Sequence, residues 1–303
     1  MSSVSEAIPV SEAIPYEQLG HPIRGPQALT DDWTRFWHLT FNIARIQWKL
    51  RFFGSALGYL WQLMRPLLLF GVVYVFFTKI GHVGQGKNTG LGQPNHFYGA
   101  QMLGSIVLFT FFAEATAGAV NSVVAQEAVV RKIQFPRLVI PLSIVLGALF
   151  NLTLNVIVVL IFSSLSGVRP MLTWLELPAI LAALAVFSAG LAMLLSSSFV
   201  YFRDTAPIWE VVTQIVFYAS PVIIPLTSVL AKLHGALLKL YLLNPLAACF
   251  QQFRHAMINN ATPGVETLLG PGGMVALLGV VAACFALGFY VFNRTAPYVA
   301  ENL

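Results

Sequence analysis

Charge is what this sequence has least of. Of its 303 residues only 10% are Asp, Glu, Lys or Arg, while 57% are hydrophobic. A soluble domain carries about 25% charged residues. This chain cannot clothe itself in a polar surface, and a mean hydropathy of +0.75 makes lipid its solvent. Cysteine is almost missing. Cys249 and Cys284 stand alone with no Cys-x-x-Cys spacing, which excludes a disulfide framework or a cysteine metal site and leaves both as small packing residues. The histidines, His21, His38, His82, His96, His234 and His255, are scattered. No paired carboxylates and no nucleophile–base arrangement stand out, so no catalysis, metal or cofactor is expected in this chain. The N-terminus has no signal-peptide apolar run and is expected to stay in the cytoplasm. The net charge of +5 reads as topology and anionic lipid rather than nucleic acid.

What the sequence has is long apolar runs. A spanning helix needs about 20 apolar residues, and the runs predict an all-α polytopic membrane protein. Six transmembrane helices are expected, at about 58–80, 97–122, 138–165, 174–199, 207–224 and 274–292. Residues 1–30 read as a disordered cytoplasmic tail, with SEAIP at Ser5–Pro9 and again at Ser11–Pro15.

Residues 31–57 predict an amphipathic interface helix. Thr30, Asp31 and Asp32 offer start chemistry. Arg35, His38, Asn42, Arg45 and Lys49 recur at steps of three and four, which places them on one polar stripe. Trp33, Phe36, Trp37, Phe41 and Trp48 occupy the rest of the circumference. A basic stripe beside a tryptophan-rich face describes a helix lying in the membrane interface. It is either a guard at a channel entrance, through Trp33, Trp37, Arg45 and Lys49, or a plain anchor.

Between the second and third spans lies a short basic segment, Asn121–Pro141, kinked by Pro136 and Pro141. We read it as the place where force from a soluble motor enters the membrane part, with Glu127, Arg131, Lys132, Phe135 and Arg137 as its contacts. Between the fifth and sixth spans, 226–259 holds two apolar stretches parted by Asn244–Pro245. Each is short for a crossing. They predict a re-entrant outer hairpin rimming a pore, the alternative being a loop resting on the surface. With the N-terminus inside, eleven of the seventeen Lys and Arg fall on the inner side, so both termini are expected in the cytoplasm.

Acidic residues within spans are functional candidates by default. Glu114 is one, read as facing a wet channel, as a structural partner or, less well supported, as a proton relay. Glu210 is another. Tyr59, Tyr74, Phe77, Phe111, Phe217 and Tyr218 are candidates to line a channel, since sugar rings stack on aromatic faces. Core or lipid-facing packing is the ordinary alternative. Lys49, Arg51 and Arg65 are candidates to attract an anionic headgroup, the alternative being topology charges. Gly81–Asn88, GHVGQGKN, nearly matches a phosphate-binding loop. It has Asn88 at the hydroxyl position and no strand–helix context, and it reads as a glycine-rich loop.

In order along the chain, LRFFGSALGYLWQLMRPLLL at 50–69, FTFFAEA at 109–115, VVRKIQFPRLVIPL at 129–142, SSSFVYFRD at 196–204, VFYASPVIIP at 216–225, NPL at 244–246 and FQQFRHAM at 250–257 carry a resemblance. The chain is similar to the ABC-2 type permeases of bacterial polysaccharide exporters, the Wzm-like group for O-antigen, teichoic acid and capsule. The resemblance covers about 33–303. It implies a homodimer in the bacterial inner membrane, with two copies of a separate ATPase subunit that binds ATP and Mg. It also implies a coupling helix at about 125–137, an N-terminal helix that touches the ATPase, and an outer gate between spans five and six. The cargo it implies is a glycan on a polyprenyl pyrophosphate. Which glycan is left open, a cell-wall galactan being one reading. Alternatives are a drug or simple-lipid exporter of the same type, or an ion-coupled secondary transporter, against which the lack of paired broken helices argues.

Overall fold

The computed structural model describes residues 33–53, 58, 60–80, 97–126, 136–223, 236–257 and 262–296. The tail, Tyr59, the glycine-rich loop, residues 127–135 of the coupling segment and 226–235 and 258–259 of the hairpin lie outside them. Among the described residues every regular element is helical: α1 Trp33–Phe52, α2 Leu60–Val75 with a π-helical end Phe76–Ile80, α3 Tyr98–Val120, α4 Val139–Leu165, α5 Leu177–Tyr201, α6 Thr205–Ala219, α7 Ala236–Leu242, α8 Pro245–Met257 and α9 Val265–Thr295. Among the described residues five helical stretches are long and apolar enough to cross a membrane: Leu60–Ile80, Tyr98–Val120, Val139–Leu165, Leu172–Tyr201 and Val265–Thr295. The protein is an all-α, multi-pass membrane protein.

The expected fifth span differs. In place of a helix over 207–224 stands α6, 15 residues long and ending at Ala219. Ser220 takes an extended backbone, ψ 154°, and Pro221 follows, whose ring disfavours helix in the residue before it. At 1.5 Å per residue α6 is about 22 Å long, short of the ~30 Å hydrocarbon layer. The last span is also longer than expected. α9 begins at Val265 and breaks at Gly270, φ +68°, ahead of Pro271. The stretch after the break holds the expected 274–292.

α3 is the axis of the bundle. It packs against α2, α4, α5, α6 and α8. Because protein rather than lipid surrounds it, it tolerates Gln101, Ser105, Thr110, Glu114 and Thr116. Three of these return hydroxyls to the preceding turn: Ser105 to Gln101 O at 2.9 Å, Thr110 to Ile106 O at 2.8 Å and Thr116 to Phe112 O at 2.8 Å. Such back-bonding satisfies a hydroxyl where no water is available. α5 and α9 form the tightest pair, meeting at Gly190 and Gly288. Small residues there let two backbones touch, which is how helices gain contact where lipid supplies no hydrophobic drive.

α8, the second arm of the hairpin, is an interior element. Leu246, Phe250, Phe253, Ala256 and Met257 are all buried, and the helix packs on α5, α3 and α9. The break at Asn244–Pro245 is where the sequence placed it. Phe253 fills the space left by the missing side chain of Gly104 on α3.

α1 lies along α4. Its expected polar stripe, Arg35, His38, Asn42, Arg45 and Lys49, is exposed, as are Trp33, Trp37 and Phe41. The remaining circumference is not uniform. Phe36, Thr40 and Ala44 form a third stripe at four-residue steps and are buried. Phe150 of α4 is held edge-on by Phe41 and Trp48, with ring centroids 5.6 and 5.9 Å away. α1 is therefore docked on the bundle as well as amphipathic.

Candidate functional site: the Glu114 cluster and its groove

Glu114 sits on α3 about two turns before the helix ends. Its carboxylate accepts hydrogen bonds from three other elements. Arg51 Nη1, beyond the middle of α1 at its last turn, donates to Oε1 as an ion pair. Asn151 Nδ2 on α4 donates to the same oxygen at 2.9 Å, and Gln62 Nε2 on α2 donates to Oε2 at 3.2 Å. Trp48 Nε1 in turn donates to Asn151 Oδ1 at 2.7 Å. That bond orients the Asn151 amide so that its NH2 faces the carboxylate. Four helices thus converge on one acid.

The cluster forms one edge of a cavity of about 870 Å³ bounded by α2, α3 and α6. Arg51, Gln62, Arg65 and Glu114 supply its charged and polar end. Trp61, Leu69, Phe109, Phe217 and Tyr218 supply its apolar walls, with Thr110, Thr213 and Gln214 between. Two smaller cavities continue it. One of about 290 Å³ shares Phe217 and Tyr218 and adds Phe77, Pro221, Ile223 and Tyr241. The other, about 320 Å³, shares Thr213 and Gln214 and adds Asn121, Trp209 and Glu210. The three are stations of one groove that follows α6. On the other side of α6 nothing among the described residues covers Ile208, Val211 or Ile215, each more than half exposed, and α6 has no buried residue.

The candidates therefore separate. Arg51, Arg65, Glu114, Phe217 and Tyr218 meet in the main cavity, and Phe77 lines its narrower continuation. Phe111 does not belong with them: it is 2% exposed in the apolar core, and Phe109 takes the cavity-facing place. Tyr74 stacks near Phe70 and Tyr98, with centroids at 5.3 and 6.3 Å, and lines none of the three cavities. Lys49 is exposed on α1, apart from the cavity lining. Trp33 and Trp37 pack edge to face at 5.7 Å and remain exposed, with Arg45 on the adjoining polar stripe. Glu127, Arg131, Lys132, Phe135 and Tyr59 lie outside the described residues.

Arg137 corrects an expectation. Its side chain is not offered to a docking partner. It is 2% exposed and donates through Nη1 to the carbonyl oxygen of Ala296, at the end of α9. Burial lowers its pKa from the ordinary arginine value. It ties the start of α4 to the end of the last helix, beside the cluster of Phe36, Val139, Ile140, Met193 and Phe292.

Reading acids alone missed Gln62, Asn151 and Trp48. The signal was available: Gln62 and Asn151 are uncharged polar residues within apolar runs, and a buried amide needs partners just as a buried acid does. At the other end of α6, the buried Arg254 of α8 donates to Ser105 Oγ at 3.0 Å, to Val222 O at 3.3 Å and to Pro221 O. Tyr98 and Tyr241 bond Ile223 O and Ala219 O at 3.0 and 3.1 Å.

Apolar helices crossing around a groove open on one side define a multi-pass membrane protein with a lateral cavity. The ABC-2 type transporter family model matches residues 38–258, and the chain belongs to that family. Its relatives include an O-antigen export system permease protein RfbA of Klebsiella pneumoniae, 29% identical over 258 residues, covering 84% of this chain and 91% of that one. A second Klebsiella pneumoniae protein of the same name is 28% identical over 260 residues, with the same coverage. A protein of that name from Myxococcus xanthus is 25% identical over 251 residues, covering 82% and 91%.

Proposed function

We propose that this chain is the permease subunit of an ATP-driven exporter that carries a polysaccharide, linked to a polyprenyl pyrophosphate, out across the bacterial inner membrane. The relatives named for O-antigen export support the cargo class. The observation that carries the rest is the groove itself, cationic and polar at one end, aromatic along its length and without a wall on one side.

A glycan chain is too long to be enclosed in a cavity of about 870 Å³. It has to thread. A second copy of the chain, related by a two-fold axis and laid against the uncovered faces of α2 and α6, supplies the missing wall and turns two grooves into one conduit. The polar end takes the pyrophosphate, where Arg51 and Arg65 offer two guanidinium groups to a phosphate pair. Phe77, Phe217 and Tyr218 offer flat apolar faces to passing sugar rings. ATP and Mg are bound by a separate ATPase subunit, two copies per dimer, which moves the segment 125–137. Both termini lie in the cytoplasm, and the polar end of the groove lies toward that side.

Deletion of the gene tests the cargo. A polyprenyl-linked glycan accumulates at the inner leaflet, and expression of the intact chain clears it. If no lipid-linked glycan builds up, the cargo is something else. Reconstitution with the ATPase subunit tests the rest: vesicles containing both proteins translocate the glycan only when ATP is supplied.

A further inference from the structure

The groove reading has Arg51 waiting for a phosphate, yet in the structure Arg51 is already occupied. Its guanidinium is paired with Glu114. The two partners are not equally held. Arg51 is 46% exposed and reaches the cavity from the last turn of α1, while the Glu114 side chain is 19% exposed. Besides Arg51, Glu114 has one amide donor on each oxygen, Asn151 Nδ2 on Oε1, the oxygen Arg51 also holds, and Gln62 Nε2 on Oε2. Both are uncharged, and Asn151 is itself fixed by Trp48. If Arg51 swings away, the carboxylate keeps a hydrogen bond on each oxygen. Arg51 is therefore the exchangeable member of the cluster. Across the same cavity Arg65 has no acidic partner among the described residues.

We propose that Glu114 is a built-in counter-ion which holds Arg51 until a pyrophosphate headgroup displaces it. This rests on the headgroup reading above and adds the device that regulates it. A pyrophosphate carries more than one negative charge and two sets of oxygens, so it outbids a single carboxylate for the guanidinium, with Arg65 as the second contact. A monophosphate competes less well, and a neutral lipid alcohol not at all. Because Arg51 belongs to α1, the exchange releases the end of that helix from α3. Cargo arrival is thereby signalled to the element beside the membrane interface. Glu114 acts through Arg51 and is a positioning residue. It sets the threshold for headgroup binding without touching the headgroup.

The test uses the full chain in nanodiscs of neutral phosphatidylcholine, with farnesyl pyrophosphate as probe, followed by tryptophan fluorescence. Farnesyl phosphate, farnesol and inorganic pyrophosphate are the other arms; they separate headgroup charge, lipid tail and free anion. Glu114→Gln keeps the shape and removes the competitor, so farnesyl pyrophosphate binds about threefold to fivefold tighter, the scale of a partly exposed ion pair. Arg51→Gln binds more weakly. In the Arg51→Gln background the Glu114→Gln gain disappears, a result that a general change of field or of stability does not give. If Glu114→Gln is poorly folded by its melting curve, Glu114→Asp, with a shorter reach to Arg51, shows a smaller gain of the same sign. Unchanged or weaker binding in the folded Glu114 variant overturns the counter-ion role. So does a gain that persists without Arg51. If Arg51→Gln and Arg65→Gln still weaken binding in that case, the headgroup site itself survives. If neither does, or the wild type ignores the probe, the headgroup reading and the counter-ion fall together.

Discussion

Gly288 on α9 faces the carbonyl oxygen of Gly190 on α5 so closely that a Cβ at Gly288 would stand 2.2 Å from it. A Cβ at Gly190 would meet Phe285 Cα at 2.8 Å. The obstacle is backbone in both directions, and no side chain can turn aside. Gly288→Ala and Gly190→Ala each force the two helices apart and cost about 1–3 kcal/mol. Thermal unfolding in detergent shows this as a lowered midpoint, whereas Gly279→Ala, which has open space, leaves the midpoint unchanged.

Arg254→Met removes the only charged donor, among the described residues, to the carbonyls of Pro221 and Val222. Buried acceptors without donors cost about 1–3 kcal/mol each. Against this, Arg254 Nε and Nη1 have no partner among the described residues, so losing the charge relieves part of the penalty. The first effect wins by about 2 kcal/mol, measured as a lowered unfolding midpoint. The loss is larger than for Tyr241→Phe, which removes a single bond to Ala219 O.

Arg137→Gln retains a donor for Ala296 O and costs about 1–2 kcal/mol. Arg137→Glu places an acid against a carbonyl oxygen in a buried site and sharply reduces the folded yield. Size-exclusion profiles of the two variants check the order. A folded, stable Arg137→Glu protein that fails only in export would return Arg137 to the docking surface.

Trp48→Phe keeps the ring against Phe150 but deletes the N–H that orients Asn151. The expected loss of stability is about 1 kcal/mol. Export by cells carrying the variant falls while membrane insertion is unchanged. The readout is surface glycan against the amount of protein in the membrane.

Orientation is checked by single cysteines in a Cys249→Ser, Cys284→Ser background. An impermeant maleimide labels Arg169→Cys from outside the inner membrane, in spheroplasts. It labels Arg203→Cys only after the membrane is opened. The reverse pattern inverts the proposed topology.

The helices were legible because apolar length is a strong signal. α3, α4 and α5 fall within a few residues of the expected bounds. α6 was not, because 207–224 reads as one apolar run despite Glu210 and Gln214, and only the local stiffness before Pro221 ends the helix. The Asn244–Pro245 break was visible, but nothing in the sequence showed that α8 would be core rather than rim. Its Phe250 and Phe253 look alike whether they face lipid or protein. At the site, Glu114 announced itself as an acid in an apolar run. Its partners did not, since Arg51 is 63 residues away in the chain and Asn151 is 37 away. Phe111 and Phe109 differ by half a turn of one helix, a distinction that composition does not contain.

The stop at Ala219 leaves several backbone carbonyl oxygens without a helical partner. Such oxygens, gathered and unclaimed, are the material from which cation pathways are made. Here the oxygens of Ala219, Pro221, Val222 and Ile223 are claimed by Tyr241, Arg254 and Tyr98, and a guanidinium among them repels any approaching metal ion. The break after α6 is thus closed to metal ions by the chain's own side chains rather than left as a place to hold them.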